Sequence, residues 1–270
     1  MRPLVAGAAL IVVAALGYFS YREYVHAGTL LTPGIITRGM EPHRALYPGI
    51  DARVSRLLRG PALPAERPKL IALTFDDGPY PVATPLLLDA LHDAGIRATF
   101  FLIGRDAQQF PELTRRIVAA GHEIANHTLT HPDLDRLDET GVRAELDGGA
   151  RALGAYTNDP AVASMMRPPH GRYTVATVEA AHAAGYDVML WTDDPGDWRT
   201  VTSQGLARHI EAYATQPDIV LLHSGKLATI EMLPRIIERF RAAGYSFVTA
   251  GELLQRAGAA AINDPAKHPL

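Results

Sequence analysis

The segment LIALTFDDGP, Leu70 to Pro79, decides how the rest of the chain is read. Leu70 to Leu73 is short and wholly apolar, the pattern of a strand buried on both faces. The segment ends in adjacent carboxylates, Asp76 and Asp77, followed by Gly78 and Pro79, which form turns. Negative charge is therefore placed where a strand becomes a loop. Adjacent side chains on extended backbone point to opposite faces, so the two acids are expected to do different jobs. One would hold a metal ion and the other would act as a base beside it. On this segment alone, an ordinary Asp-Gly turn is the competing reading.

Downstream of Leu70 the pattern is regular. Apolar runs predict strands over Leu70–Phe75, Ala98–Ile103, Glu123–Ala125, Val162–Met166, Asp187–Trp191, Ile219–Leu222 and Ser246–Thr249. Between them, helices are predicted over Pro85–Ala94, Pro111–Ala120, Glu139–Ala155, Thr174–Ala184, Gln204–Tyr213 and Thr229–Ala243. Gly95, Gly121, Gly185 and Gly244 each follow a helical stretch, as helix stops do. Strands alternating with helices give an α/β fold, either a barrel or a doubly wound sheet.

Upstream, Leu4 to Phe19 carries no charge, with Arg2 before it and Arg22 after it. No small-x-small cleavage site follows. Residues 1–24 are therefore expected to be a membrane anchor or uncleaved signal, with the rest of the chain on the periplasmic or extracellular side. Cleavage would make the protein secreted. Residues 25–68, broken by six prolines, are expected to be an irregular linker and arm. A single domain spans 69–256, and 257–270 is a tail. The formal charge of −3 provides no basic footprint for nucleic acid. There is no cysteine, which excludes disulfides and thiolate metal sites. No obligate protein partner is expected.

In α/β folds the active site lies at the C-terminal ends of the strands. The polar residues of interest fall there: Asp76 and Asp77, His127 and His131, Arg167, Asp197 and His223. In NHTLTH, a spacing of four brings His127 and His131 to one side of a helical turn or a tight loop. With one Asp they make an Asp-His-His set for a divalent ion that leaves a position open, as catalytic zinc sites do. By ligand type, zinc, cobalt, nickel and manganese all qualify.

TFDDGP, HTLTH, RPPHG (Arg167–Gly171), Asp197-Trp198 and LLHS (Leu221–Ser224) occur in this order. In these motifs the chain resembles the polysaccharide deacetylase family, the carbohydrate esterases of family 4 with a NodB-homology domain. The resemblance covers about Leu70 to Glu252. It implies a distorted, incomplete (β/α) barrel of about seven strands. It also implies metal-dependent removal of N-acetyl groups from N-acetylglucosamine-containing glycan, such as chitin-like oligosaccharide, peptidoglycan or poly-N-acetylglucosamine. An O-acetyl esterase acting on acetylated xylan is one alternative, and a catalytically silent glycan-binding envelope protein is another.

Carried over by motif, Asp76 resembles the general base and Asp77, His127 and His131 the metal ligands. Arg167 resembles the arginine that holds the base, and His223 the general acid, oriented by Asp197. Asp193 and Asp194 stand in the same loop as rivals for that orienting role. Trp198 and Leu221 resemble the wall for the acetyl methyl group. A backbone N–H near Pro169 to Gly171 would hold the oxyanion; proline has none, so His170 or Gly171 must supply it. Position 170 is a histidine where the family usually carries Tyr or Phe. Tyr80, Tyr173 and Trp198 are placed to stack on sugars, whereas Trp191 reads as core.

Overall fold

The computed structural model describes residues 69–199, 201–213 and 218–262. The expected anchor and arm (1–68) and the end of the tail lie outside them. Among the described residues, no helix is long and apolar enough to cross a membrane.

Seven parallel strands build one sheet: β1 (Leu70–Asp76), β2 (Thr99–Leu102), β3 (Glu123–Asn126), β4 (Met165–Met166), β5 (Asp187–Val188), β6 (Asp218–His223) and β7 (Ser246–Phe247). Their order is β5-β4-β3-β2-β1-β6, with β7 also on β1. The connecting helices are α1 (Ala83–Asp93), α2 (Gly104–Gln109), α3 (Pro111–Ala119), α4 (Glu139–Leu153), α5 (Ala161–Ser164), α6 (Val175–Ala183), α7 (Ser203–Tyr213), α8 (Leu227–Ala242) and α9 (Ala250–Ile262). The sheet curls until the chain after β5 reaches β6. There Thr192 N donates to Ile219 O at 2.9 Å and Leu221 N to Asp193 O at 2.9 Å. This short bridge makes the architecture an incomplete (β/α) barrel.

Alternation along the strands determines which side chains enter the barrel. On β1, Leu70 and Ala72 join the inner cluster with Phe101, Ala125, Ile219 and Leu221. Ile71, Leu73 and Phe75 join the outer one, under the helices, with Phe100, Ile124, Val220 and Leu222. Side chains two apart share a face, so inward parity continues through Thr74 to Asp76, and through Leu221 to His223. Parallel register places Asp76 directly beside His223. It also pairs Leu102 with Asn126, and Asn126 with Met166, so His127 and Arg167 leave neighbouring strands at one level.

Several expectations need correction. The expected strand Val162–Met166 is reduced to Met165–Met166, because Ala161–Ser164 is helical. Asp159 Oδ1 accepts from Ala161 N (2.9 Å) and Ser164 Oγ donates to Pro160 O (2.8 Å), local bonds that compete with a ladder. The expected strand Asp187–Trp191 stops at Val188, because the Arg167 guanidinium occupies the Met189 and Leu190 carbonyls. The run Ser246–Thr249 stops at Phe247, and Thr249 forms reciprocal bonds with Glu252 at the start of α9. That helix continues to Ile262, past the expected tail boundary at residue 257. Helix α2 was not anticipated, since GRDAQQ has no apolar period. The four helix-stop glycines do take positive φ, between 60° and 89°.

Candidate active site

Asp76 is the last residue of β1 and is almost wholly buried. Arg167 Nη1 donates to its Oδ1 at 2.7 Å and to Thr74 Oγ1 at 2.8 Å. The remaining nitrogens of this fully buried guanidinium donate to Met189 O (3.1 Å) and Leu190 O (2.9 Å). Its Cζ lies 4.0 Å from the Phe101 ring centroid. A buried charge is tolerated only when its donors are satisfied; here the arginine spans the barrel interior and holds one oxygen of Asp76.

The two neighbouring acids do not diverge as extended backbone would require. Asp77 has φ 69°, which turns its carboxylate back toward the mouth. Both acids then face His127: Nε2 lies 3.8 Å from Asp76 Oδ2 and 3.6 Å from Asp77 Oδ1. His131 Nε2 is 3.3 Å from the same Asp77 oxygen. One donor atom each from Asp77, His127 and His131 falls within a span of 4.8 Å, a set that can hold a metal ion. Protonation states agree with this. Burial works against the Asp77 charge, but the hydrogen bond from His131 and the charges of His127, His131 and His223 outweigh it and hold its pKa far below the usual range. Burial lowers the His127 pKa despite both carboxylates, which favours neutral imidazole. An ionised carboxylate at Asp77 and a neutral imidazole at His127 are the forms that bind a metal.

The loop 127–131 is tight rather than helical, with Thr128 at φ 69° and His131 at φ 66°. Asp77, Thr128, His131 and His170 are the non-glycine residues with positive φ among the described residues, and all belong to this site. Such strain persists only where the surroundings enforce it. Asn126 Oδ1 accepts from Thr128 N at 2.9 Å, and Thr128 Oγ1 from His131 N at 3.0 Å. Glu145 on α4 accepts from Leu129 N, Thr130 N and Thr130 Oγ1. His127 Nδ1 is bonded to Arg167 O at 2.9 Å, which turns Nε2 toward Asp77.

His223 ends β6. Its Nδ1 lies 2.7 Å from Asp197 Oδ1, while Asp197 Oδ2 accepts from His223 N (2.8 Å) and Thr229 Oγ1 (2.6 Å). Burial lowers the imidazole pKa, but the Asp197 hydrogen bond, then the charges of Asp76, Asp197 and Asp77, raise it above its ordinary value. The rivals are otherwise engaged: Asp193 pairs with His209 at 2.8 Å, and Asp194 Oδ1 accepts from Gly196 N at 2.8 Å.

These groups open on a pocket of about 470 Å³ that also includes His170, Gly171, Trp191, Asp194, Trp198, Leu221 and Lys226. Trp198 is half exposed and Leu221 buried, as walls of different depth. Gly171 N donates to Pro168 O at 3.1 Å within its turn, which leaves His170 N–H as the candidate oxyanion donor. Pro169 is buried in that turn and is absent from the pocket lining. The His170 ring lies 4.6 Å from that of His131 and bonds Asp133 at 2.9 Å. Tyr80 lines an adjoining hollow, and burial beside Asp77 pushes its hydroxyl pKa up to about 12. Tyr173 is buried in the core and unavailable to sugars. Trp191 is buried yet lines the pocket. Sequence reasoning missed Glu145 and Lys226; neither sits in a motif, Glu145 being brought in by α4 and Lys226 standing in the turn between β6 and α8, three residues after His223.

Known proteins resemble this chain in sequence and in fold. The sequence pattern described as polysaccharide deacetylase matches residues 64–189. A peptidoglycan-N-acetylglucosamine deacetylase of Bacillus cereus is 36% identical over 192 residues, 69% of this chain and 89% of that protein. A chitooligosaccharide deacetylase of Bradyrhizobium sp. is 41% identical over 155 residues, 57% of this chain and 70% of that protein. The crystal structure of the Bc1960 peptidoglycan N-acetylglucosamine deacetylase superposes with a TM-score of 0.67 at 30% identity, covering 70% of this chain and 89% of that one. Likeness of this extent establishes that the chain belongs to the polysaccharide deacetylase family.

Proposed function

We propose that the protein hydrolyses N-acetyl groups on N-acetylglucosamine-containing glycan, with one divalent ion held by Asp77, His127 and His131. The observation that carries this is the convergence of three arrangements on one pocket: Asp76 on Arg167, His223 on Asp197, and the Asp-His-His set. Zinc suits one carboxylate and two imidazoles, with cobalt, nickel and manganese as alternatives. When bound, the ion supplies Lewis-acid polarisation of the acetyl carbonyl and activation of water.

The chain's own residues do the rest. Asp76 Oδ1 is held by Arg167, and Asp76 takes the proton of the attacking water. The His170 backbone N–H supports the developing oxyanion. His223, kept protonated by Asp197, gives its proton to the departing amine. Leu221 and Trp198 receive the acetyl methyl group.

The test is acetate release from chitooligosaccharides, peptidoglycan fragments, poly-N-acetylglucosamine and acetylxylan with metal supplied. Acetate from the N-acetylated glycans is expected. Faster release from acetylxylan would mean an ester hydrolase. No release from any of them would leave only the glycan-binding reading.

We also propose that the catalytic domain lies outside the cytosol, held to the membrane by the uncharged run Leu4 to Phe19. Fractionation of the full chain against one starting at Lys69 tests this. Equal release of both into the soluble fraction would rule out the anchor.

A further inference from the structure

Two hollows meet at the mouth. One is the pocket described above; the other, about 520 Å³, is lined by Tyr80, Pro81, Val82, Ala83 and Gly225. Asp77, His223 and Lys226 line both, so the two form one groove across the reacting centre. A groove on both sides of that centre suits a sugar with a neighbour attached rather than a single ring. Half-exposed Trp198 on one side and Tyr80 on the other provide flat apolar surface.

The charges along this groove are unequal in their partners. Asp76 is held by Arg167, Asp77 by His131 and His127, and Asp194 by Gly196 N–H. Lys226 is the one Lys or Arg lining either hollow. It is half-buried, and among the described residues no carboxylate forms an ion pair with it. An ammonium has three donors and no acceptor. The carboxylates that share the groove, Asp76, Asp77 and Asp194, make their bonds elsewhere, so the ammonium donors of Lys226 are left for whatever fills the groove, and an acceptor that carries charge binds them most strongly.

We infer that Lys226 binds a carboxylate on the sugar next to the one being deacetylated, so that the groove selects an acidic glycan over a neutral one. A glycan of alternating acetamido sugars, in which every second ring carries an ether with a free carboxylate, as peptidoglycan freed of its stem peptides does, has this chemistry; a chitooligosaccharide does not. The inference rests on the deacetylase reading and specifies its substrate class.

The experiment uses the full chain loaded with zinc. It compares kcat/KM for acetate release from a peptide-free peptidoglycan tetrasaccharide and from chitotetraose. The expected result is a preference for the acidic glycan that falls about tenfold in Lys226→Gln, the loss of one charge-assisted hydrogen bond. Lys226→Arg restores it, and added salt weakens it in the parent alone. An unchanged ratio in Lys226→Gln overturns the inference while leaving the deacetylase reading intact. So does a ratio unchanged while inhibition by free acetate weakens, since Lys226 would then hold the product. No acetate from either glycan overturns the deacetylase reading and, with it, this one.

Discussion

Replacing Asp197 by Asn tests whether His223 is the general acid and whether its charge is set by one neighbour. The carboxylate accepts three hydrogen bonds, from His223 Nδ1, His223 N and Thr229 Oγ1, and is almost wholly buried. Asn keeps the shape and loses the charge. A hydrogen bond to a charged group contributes about 1.5–3 kcal/mol, and one pKa unit corresponds to about 1.4 kcal/mol. The His223 pKa is therefore expected to fall when that charge is removed. The sign follows from its role: a general acid works protonated, so the rate is lost as pH rises through its pKa. With Asp197 present that pKa is raised, which carries the basic limb of kcat upward. In D197N the limb moves down, and at pH above both limbs the rate falls about 10–100-fold, the lost hydrogen bond expressed as a ratio of rates. The assay is a kcat–pH profile of acetate release, with Thr229→Val as a control that removes a hydrogen bond and keeps the charge. A basic limb in the same place in D197N and the parent would refute the reasoning. Stability follows the same linkage. Because the folded-state pKa of His223 is raised, its contribution is full below the unfolded value, about 6.5, and is lost as pH rises through the folded value. Melting curves of the metal-free chain should show this dependence flattened in D197N.

Further expectations concern the other parts of the site. D76N should keep bound metal and lower kcat by about 10²–10⁴-fold; metal analysis beside acetate release checks this, and full activity would exclude Asp76 as the base. H127A and H131A should each lose the divalent ion on dialysis, read by elemental analysis, and retention in both would remove the Asp-His-His assignment. Gly149 on α4 faces the loop of the ligand histidines, and a Cβ there would collide with Asn126 Oδ1 and come within 3.0 Å of the Thr128 carbonyl carbon. G149A should therefore cost about 1–3 kcal/mol in denaturant unfolding and weaken zinc binding, whereas an unchanged midpoint would show that the loop yields freely.

Much of the site was legible because strand parity is local. Asp76 and His223 each continue an inward alternation that the apolar residues of the same strand already display, and the strand ends are where an α/β fold places its chemistry. The strand lengths were less legible. Asp187–Trp191 is apolar enough for a full strand, yet its ladder stops where Arg167 takes two carbonyls. Nothing within that segment signals an arginine arriving from 22 and 23 positions away.

The sequence by itself determined the α/β class, the helix stops, the strand ends and the residue types gathered at them, since period and turn chemistry act over a few residues. Tertiary structure alone decided three things. It turned Asp77 back beside Asp76 through a left-handed φ, where extended backbone would have sent the acids apart. It let Arg167 reach Asp76 across 91 positions of chain. It also set Lys226 in a groove shared by two hollows. Each depends on which segments meet in space, and no short-range pattern encodes such contacts.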